Sequence, residues 1–261
     1  KDGTIQGVLP RMQLNVRDTL GQSAVSTEEA KKEMWDMLCM AEKNVHNAFN
    51  VFIKNDKEVF QSIAATEEQV DRMNTEISCL ITMALSHENT TIGSGVFSSY
   101  YAITGNIERI SDHAINIKEA AEEMTKKDQH FSNKALVELE IFSNALKEVV
   151  DLTFDVFKTE DLTRAAQVEP LEEEIDYLQA ELKRRHIKRL RKGKCTIEMG
   201  FILSDVLTSY ERVADHCSNI AACLMEVNDD AFDIHEYKLD IENKEEFEMS
   251  FKKLKEKYML P

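Results

Sequence analysis

Four pairs of carboxylates stand four residues apart in this sequence: Glu67 and Asp71, Glu108 and Asp112, Glu172 and Asp176, Glu211 and Asp215. On a helix this spacing puts both side chains of a pair on one face, about 6 Å apart at the β-carbons, where like charges repel unless a cation intervenes. Converging carboxylate oxygens suit a hard or borderline cation, so metal coordination is the chemistry to expect. The residues alone leave magnesium, calcium, manganese, iron and zinc open.

Two of these pairs lie in a repeated segment. IERISDHAINI, residues 107–117, returns as YERVADHCSNI, residues 210–220. Glu108, Arg109, Asp112, His113, Asn116 and Ile117 recur as Glu211, Arg212, Asp215, His216, Asn219 and Ile220, each 103 positions later. His113 and His216 add a nitrogen near each set. Arg109 and Arg212 supply a structural alternative, since they could balance the acids as salt bridges. His46, His87, His130, His186 and His235 have no such counterpart and read as ordinary.

The elements that hold these residues are helices. Pro170 is the one proline between residues 22 and 260, and Ala, Glu, Lys, Leu and Met are abundant; so few breakers over so long a span favour long helices. Helix one starts at Ser26 or Thr27 as cap and runs to Ile53, with Asn55-Asp56 as its break. Helix two covers 57–87. Asn89 to Gly95, NTTIGSG, reads as a loop, and helix three covers 96–127. After Lys126-Lys127-Asp128-Gln129, helix four runs from Ser132 to Phe157. Helix five runs from 161 to 190 with a kink or a new start at Pro170. Helix six runs from 196 to 227, and a last helix covers 243–258. In helix three, Ile103, Ile107, Ile110, Ala114, Ile117, Ala121 and Met124 step by four and three, the apolar seam of a bundle helix. Leu203, Val206, Tyr210, Val213, Cys217, Ile220, Leu224 and Val227 do the same in helix six. The expected fold is therefore all-α: two tandem antiparallel three-helix bundles plus a C-terminal helix. A leader or linker covers 1–26, the first bundle 27–128, the second 129–228, and an extension with one helix 229–261.

Folding each helix pair about its turn brings the carboxylates together. A turn near residue 91 sets position 69 opposite 113, so Glu67 and Asp71 face Glu108 and Asp112 to within about one helical turn. A turn near 193 sets 174 opposite 212, which joins Glu172 and Asp176 to Glu211 and Asp215. Each set flanks the apolar seam without belonging to it. The expectation is thus a carboxylate tetrad lining a surface groove in each half.

Composition narrows the function. Net charge is -16 at pH 7, which repels nucleic acid and anionic lipid and disfavours a phosphate-backbone binder. Five cysteines, an odd number without a C-x-x-C pair, argue for reduced thiols in the cytoplasm. No segment approaches the roughly 18 apolar residues of a membrane span. A phosphate-binding glycine loop, a G-x-S-x-G and an E-x-x-H are all absent. The basic run from Lys183 to Lys194 reads as a solvated helix end or as a contact with a partner or membrane surface.

The duplicated E-R-x-x-D-H-x-x-N-I set, with its upstream E-x-x-x-D pairs, resembles the PhoU family over residues 27–227. That resemblance implies two similar three-helix bundles with iron or zinc, as multinuclear clusters, on the carboxylate faces. One site would comprise Glu67, Asp71, Glu108 and Asp112, the other Glu172, Asp176, Glu211 and Asp215. It also implies a non-enzymatic, metal-binding regulator of phosphate transport. The leader, the tail from Phe247 to Tyr258 and the opening Lys1 look more like the PhoU-like cytoplasmic tail of a sodium/phosphate cotransporter-related protein, tethered at the inner face of the plasma membrane. The partner is then a membrane transporter domain, in the same chain or separate, with a homodimer also allowed and no nucleic acid. A free-standing PhoU-type phosphate-signalling adaptor is the alternative. A hydrolase built on carboxylate-bridged metal is a further one, weakened by the lack of an evident nucleophile or base.

Overall fold

The computed structural model describes residues 23–54, 57–87, 91–228 and 245–261. Every regular element among them is helical. These are α1 (Ser23–Lys54), α2 (Lys57–His87), α3 (Thr91–Lys126), α4 (Asn133–Thr159), the single turn α5 (Leu162–Ala165), α6 (Val168–Arg191), α7 (Ile197–Asn228) and α8 (Glu245–Lys257). Helices α1, α2 and α3 pack as one three-helix bundle, α4, α6 and α7 as a second, and α8 lies against α6. The all-α tandem architecture is as the breaker count and the seams predict.

Local chemistry sets the boundaries. Ser132 caps α4, its side chain accepting from the Ala135 N–H, and Glu160 ends that helix in the left-handed region at φ 53°. Asp161 caps the turn that follows, accepting from Thr163 and Arg164. Pro170 falls in the first turn of α6, where its missing N–H costs nothing, so the helix starts afresh instead of kinking. Gly193 takes φ 63° in the turn to α7, a value that suits glycine. Two expectations need correction. Helix α1 continues back through Thr27 and Ser26 to Ser23, so neither residue caps it. Helix α3 begins at Thr91, so most of the supposed Asn89–Gly95 loop is helical. Buried Phe97 and Tyr100 anchor its first turns, and that packing outweighs the weak helix propensity of the glycines. Residues 1–22 of the leader, the break at 55–56 and the stretch 229–244 lie outside the described residues.

The seam residues of α3 and α7 are buried from Ile103 to Met124 and from Leu203 to Leu224, Cys217 among them. The two seam helices form the most extensive contact in the molecule. Ser99 Oγ donates to Glu226 Oε2 at 2.9 Å, and Asn106 Oδ1 pairs with His216 Nδ1 at 2.9 Å. Rising numbers on α3 thus meet falling numbers on α7, and the helices run antiparallel. Helices α1 and α4 meet the same way, through Lys31 with Glu160, Trp35 with Phe154 and Phe157, and Asn50 with Lys147. The halves are therefore joined along two antiparallel helix pairs, related by an approximate two-fold.

Much of the basic run is structural. Glu138 is fully buried on α4 and accepts from Arg185 Nη1 at 3.0 Å and Arg189 Nη1 at 2.7 Å. Arg184 and Arg185 also hold Glu181, pulling its carboxyl down to about 2. Lys188, Arg191, Lys192 and Lys194 remain exposed at the end of α6 and in the turn. Where α6 and α7 close together, Gly200 faces His186, and a Cβ there would lie 2.8 Å from His186 Nε2. Because His186 is itself buried, Gly200→Ala is expected to cost about 1–3 kcal/mol through overpacking. Urea denaturation checks this; an unchanged midpoint would show that the imidazole swings aside freely.

Candidate metal centres

Each tetrad is carried by two helices whose apolar stripes fix their rotation. Buried Val70 on α2 and Ile107 and Ile110 on α3 turn Glu67, Asp71, Glu108 and Asp112 toward one groove. Buried Ile175 on α6 and Val213 and Ala214 on α7 do the same for Glu172, Asp176, Glu211 and Asp215. All eight residues lie where hairpin arithmetic puts them, beside the core and not inside it.

The carboxylates of each set feel one another. Burial, then Asp112 and Asp71, push Glu108 up to about 7. Glu67 is raised by burial, Asp112 and Asp71, and Asp112 by burial and Asp71. In the second half, burial followed by Glu169, Asp176 and Asp215 pushes Glu172 up to about 9. Asp176 is raised by burial and Asp215, and Glu211 by burial, Asp215 and Asp176. Like charges held together in a low dielectric resist ionisation, and each set would accept a cation in place of the shared protons.

The two sets differ in closure. Glu172, Asp176 and Asp215 each offer an oxygen within 4.8 Å of the others, whereas the first tetrad does not bring three oxygens that close. Asp71 is exposed, and carboxylates that reach solvent splay apart. Asp176 Oδ1 is buried and has no hydrogen-bond partner. A buried carboxylate oxygen without a donor is costly, and a cation between Glu172, Asp176 and Asp215 would satisfy it. On that test the second set fits a metal ion closely and the first more loosely. Arg212 lies 3.0 Å from Asp215 and 3.7 Å from Glu211, so in this half the salt-bridge alternative coexists with the cluster.

The repeated histidines do something else. His113 and His216 stack on each other across the α3–α7 contact, ring centres 5.6 Å apart and 21° from parallel. Burial, then the facing His113 and Arg109, push His216 down to about 4. His113 is lowered by burial and by Arg212. The pair is a neutral joint on the two-fold between the halves. Sequence reasoning also missed Glu169, which presses on Glu172 from one turn away and accepts from Ser218 at 2.7 Å. Its i–3 position relative to Glu172 was the available signal, hidden by the Pro170 between them.

Two tandem three-helix bundles, each with a carboxylate-lined groove beside its seam, define a class of all-helical protein with paired acidic grooves. Residues 34–121 and 139–224 both match the PhoU domain. The chain belongs to the PhoU domain family. It is 22% identical over 192 residues to the phosphate-specific transport system accessory protein PhoU homolog 1 of Thermotoga maritima, covering 73% of this chain and 82% of that one. It is 21% identical over 196 residues to the PhoU homolog of Clostridium acetobutylicum, covering 74% and 88%. The crystal structure of PhoU from Pseudomonas aeruginosa superposes with TM-score 0.74 at 21% identity, over 79% of this chain and 99% of that one. The phosphate transport system regulatory protein PhoU from Streptococcus pneumoniae gives TM-score 0.69 at 17% identity, over 79% and 97%. These likenesses show the fold.

Proposed function

We propose that this protein is a non-enzymatic, metal-binding regulator of a phosphate transport system, acting at the cytoplasmic face through contact with the transporter. The observation that carries the reading is the pair of repeat-related carboxylate tetrads on a tandem PhoU fold, the second with an unsatisfied Asp176 oxygen. The relatives named above are accessory proteins of phosphate-specific transport systems. They support the alternative, accessory-protein reading better than that of a sodium/phosphate cotransporter tail. No described helix is long and apolar enough to cross a membrane.

The residues divide the work. Glu172, Asp176 and Asp215, with Glu211 alongside, would hold the ion in the second half; Glu67, Asp71, Glu108 and Asp112 would close on one in the first. Iron or zinc when bound would supply positive charge that neutralises the clustered acids. Arg212 orients Asp215, Ser218 holds Glu169, and the α3–α7 joint keeps both grooves in register. Deletion of the gene is expected to deregulate phosphate uptake in phosphate-replete cells, measured with radiolabelled phosphate. Wild type should restore control and the Asp112→Asn/Asp215→Asn variant should not. Uptake that ignores the deletion would overturn the regulatory reading.

A further inference from the structure

Outside the tetrads, a second kind of ligand set sits on the other seam between the halves. Glu42 and His46 are four apart on α1 and share a face. Asp151 reaches them from α4, and one ligand atom from each of the three lies within 4.8 Å of the others. The His46 Nε2 atom is buried and makes no hydrogen bond, although Asp151 Oδ1 lies only 3.2 Å away. In tetrahedral zinc sites, bonds of about 2.0–2.1 Å set neighbouring ligand atoms about 3.3 Å apart. An imidazole nitrogen and a carboxylate oxygen at that separation, without hydrogen-bond alignment, are spaced as two ligands of one ion. Glu42 meets Asp151 carboxyl to carboxyl.

The neighbouring cations are engaged elsewhere. Lys147 donates to Asn50, and Arg164 pairs with Asp155 at 3.1 Å. Asp151 also lines a groove of about 550 Å³, together with Lys147, Asp155 and Arg164. We infer that Glu42, His46 and Asp151 form a binding site for one borderline divalent ion of the zinc class, which ties the two halves together at the α1–α4 seam. One imidazole with two carboxylates favours zinc over magnesium or calcium. The site therefore differs in kind from the all-oxygen tetrads and does not rest on them. The site lies at the α1–α4 junction of the repeats and is built once, so it does not require a repeat partner for His46.

The test uses the full chain carrying Asp112→Asn and Asp215→Asn, with zinc(II) as the probe. Equilibrium dialysis should give one equivalent bound, and X-ray absorption should show imidazole coordination. Adding His46→Gln should lower zinc affinity at least tenfold and abolish the imidazole signature. Glu42→Gln should lower affinity too, and stands in for His46→Gln if circular dichroism shows that variant unfolded. No zinc bound to the parent chain, zinc held without imidazole, or an affinity indifferent to both substitutions would overturn the site. Zinc beyond one equivalent in the unsubstituted protein reports the tetrads separately, so either assignment can fail without the other.

Discussion

Glu138→Ala should lower the stability of the folded chain by about 3–5 kcal/mol, the cost of breaking a buried ion pair from one side. The Glu138 side chain is 1% exposed and receives Arg185 and Arg189, themselves only 21% and 16% exposed. Removal takes from Arg189 the carboxylate that balances it in a pocket that solvates it poorly, and leaves Arg185 with Glu181 and the Pro261 carbonyl. For a chain of this size the loss corresponds to roughly 10 °C in Tm. A triple replacement by apolar side chains of similar volume, Glu138→Leu with Arg185→Met and Arg189→Met, should recover most of it, because the isolated charges and not the missing volume are at fault. Thermal unfolding by circular dichroism reads both variants. A fall under about 1 kcal/mol for Glu138→Ala would show that the triad behaves as a surface pair.

Stability of the metal-free protein is expected to fall as pH rises from about 6.5, above which the depressed His216 no longer opposes it, to about 9, and metal is expected to flatten or reverse that slope. Glu172 titrates near 9 in the fold against about 4.3 in an unfolded chain. A carboxyl raised on folding favours the folded state when protonated. Its contribution is complete below the unfolded value and lost as pH climbs through the folded one. Glu108, near 7, adds to the same direction over the lower part of the window, reduced by its partial exposure. The combined loss is on the order of several kcal/mol. Metal demands the deprotonated ligands and so binds more tightly as pH rises. At a free concentration one hundred times Kd it adds about 2.7 kcal/mol. Urea midpoints at pH 5, 7 and 9, with chelator and with zinc or iron, separate the cases. Glu172→Gln should flatten the chelated series. Parallel slopes with and without metal would remove the tetrads from consideration as cation sites.

The sequence made the helices, the seams and the tetrads legible because each depends on local periodicity. Three-four stepping marked Ile103 to Met124 and Leu203 to Leu224 as buried, and antiparallel pairing about a short turn placed eight carboxylates in two grooves. Features that depend on how the halves meet were not legible. The His113–His216 stack joins repeat-equivalent residues across a two-fold that no local pattern encodes. Glu138, fully buried, looks in sequence like any surface glutamate, and only its partners 47 and 51 residues away explain it. His46 has no repeat partner and reads as ordinary, because its neighbour Asp151 comes from the other half and no local pattern links the two. The start of α3 departs from the loop reading because tertiary packing of Phe97 and Tyr100 overrides the loop chemistry of the glycines.

The most direct test of the metal-binding account is the metal content of protein purified without chelator, measured by plasma mass spectrometry. His46→Gln serves as the parent, so that the α1–α4 seam does not contribute, and is compared with His46→Gln/Asp112→Asn/Asp215→Asn. The account predicts bound iron or zinc in the parent and at least a tenfold loss in the triple variant, with helical content unchanged. Equal metal content in the two chains would contradict it.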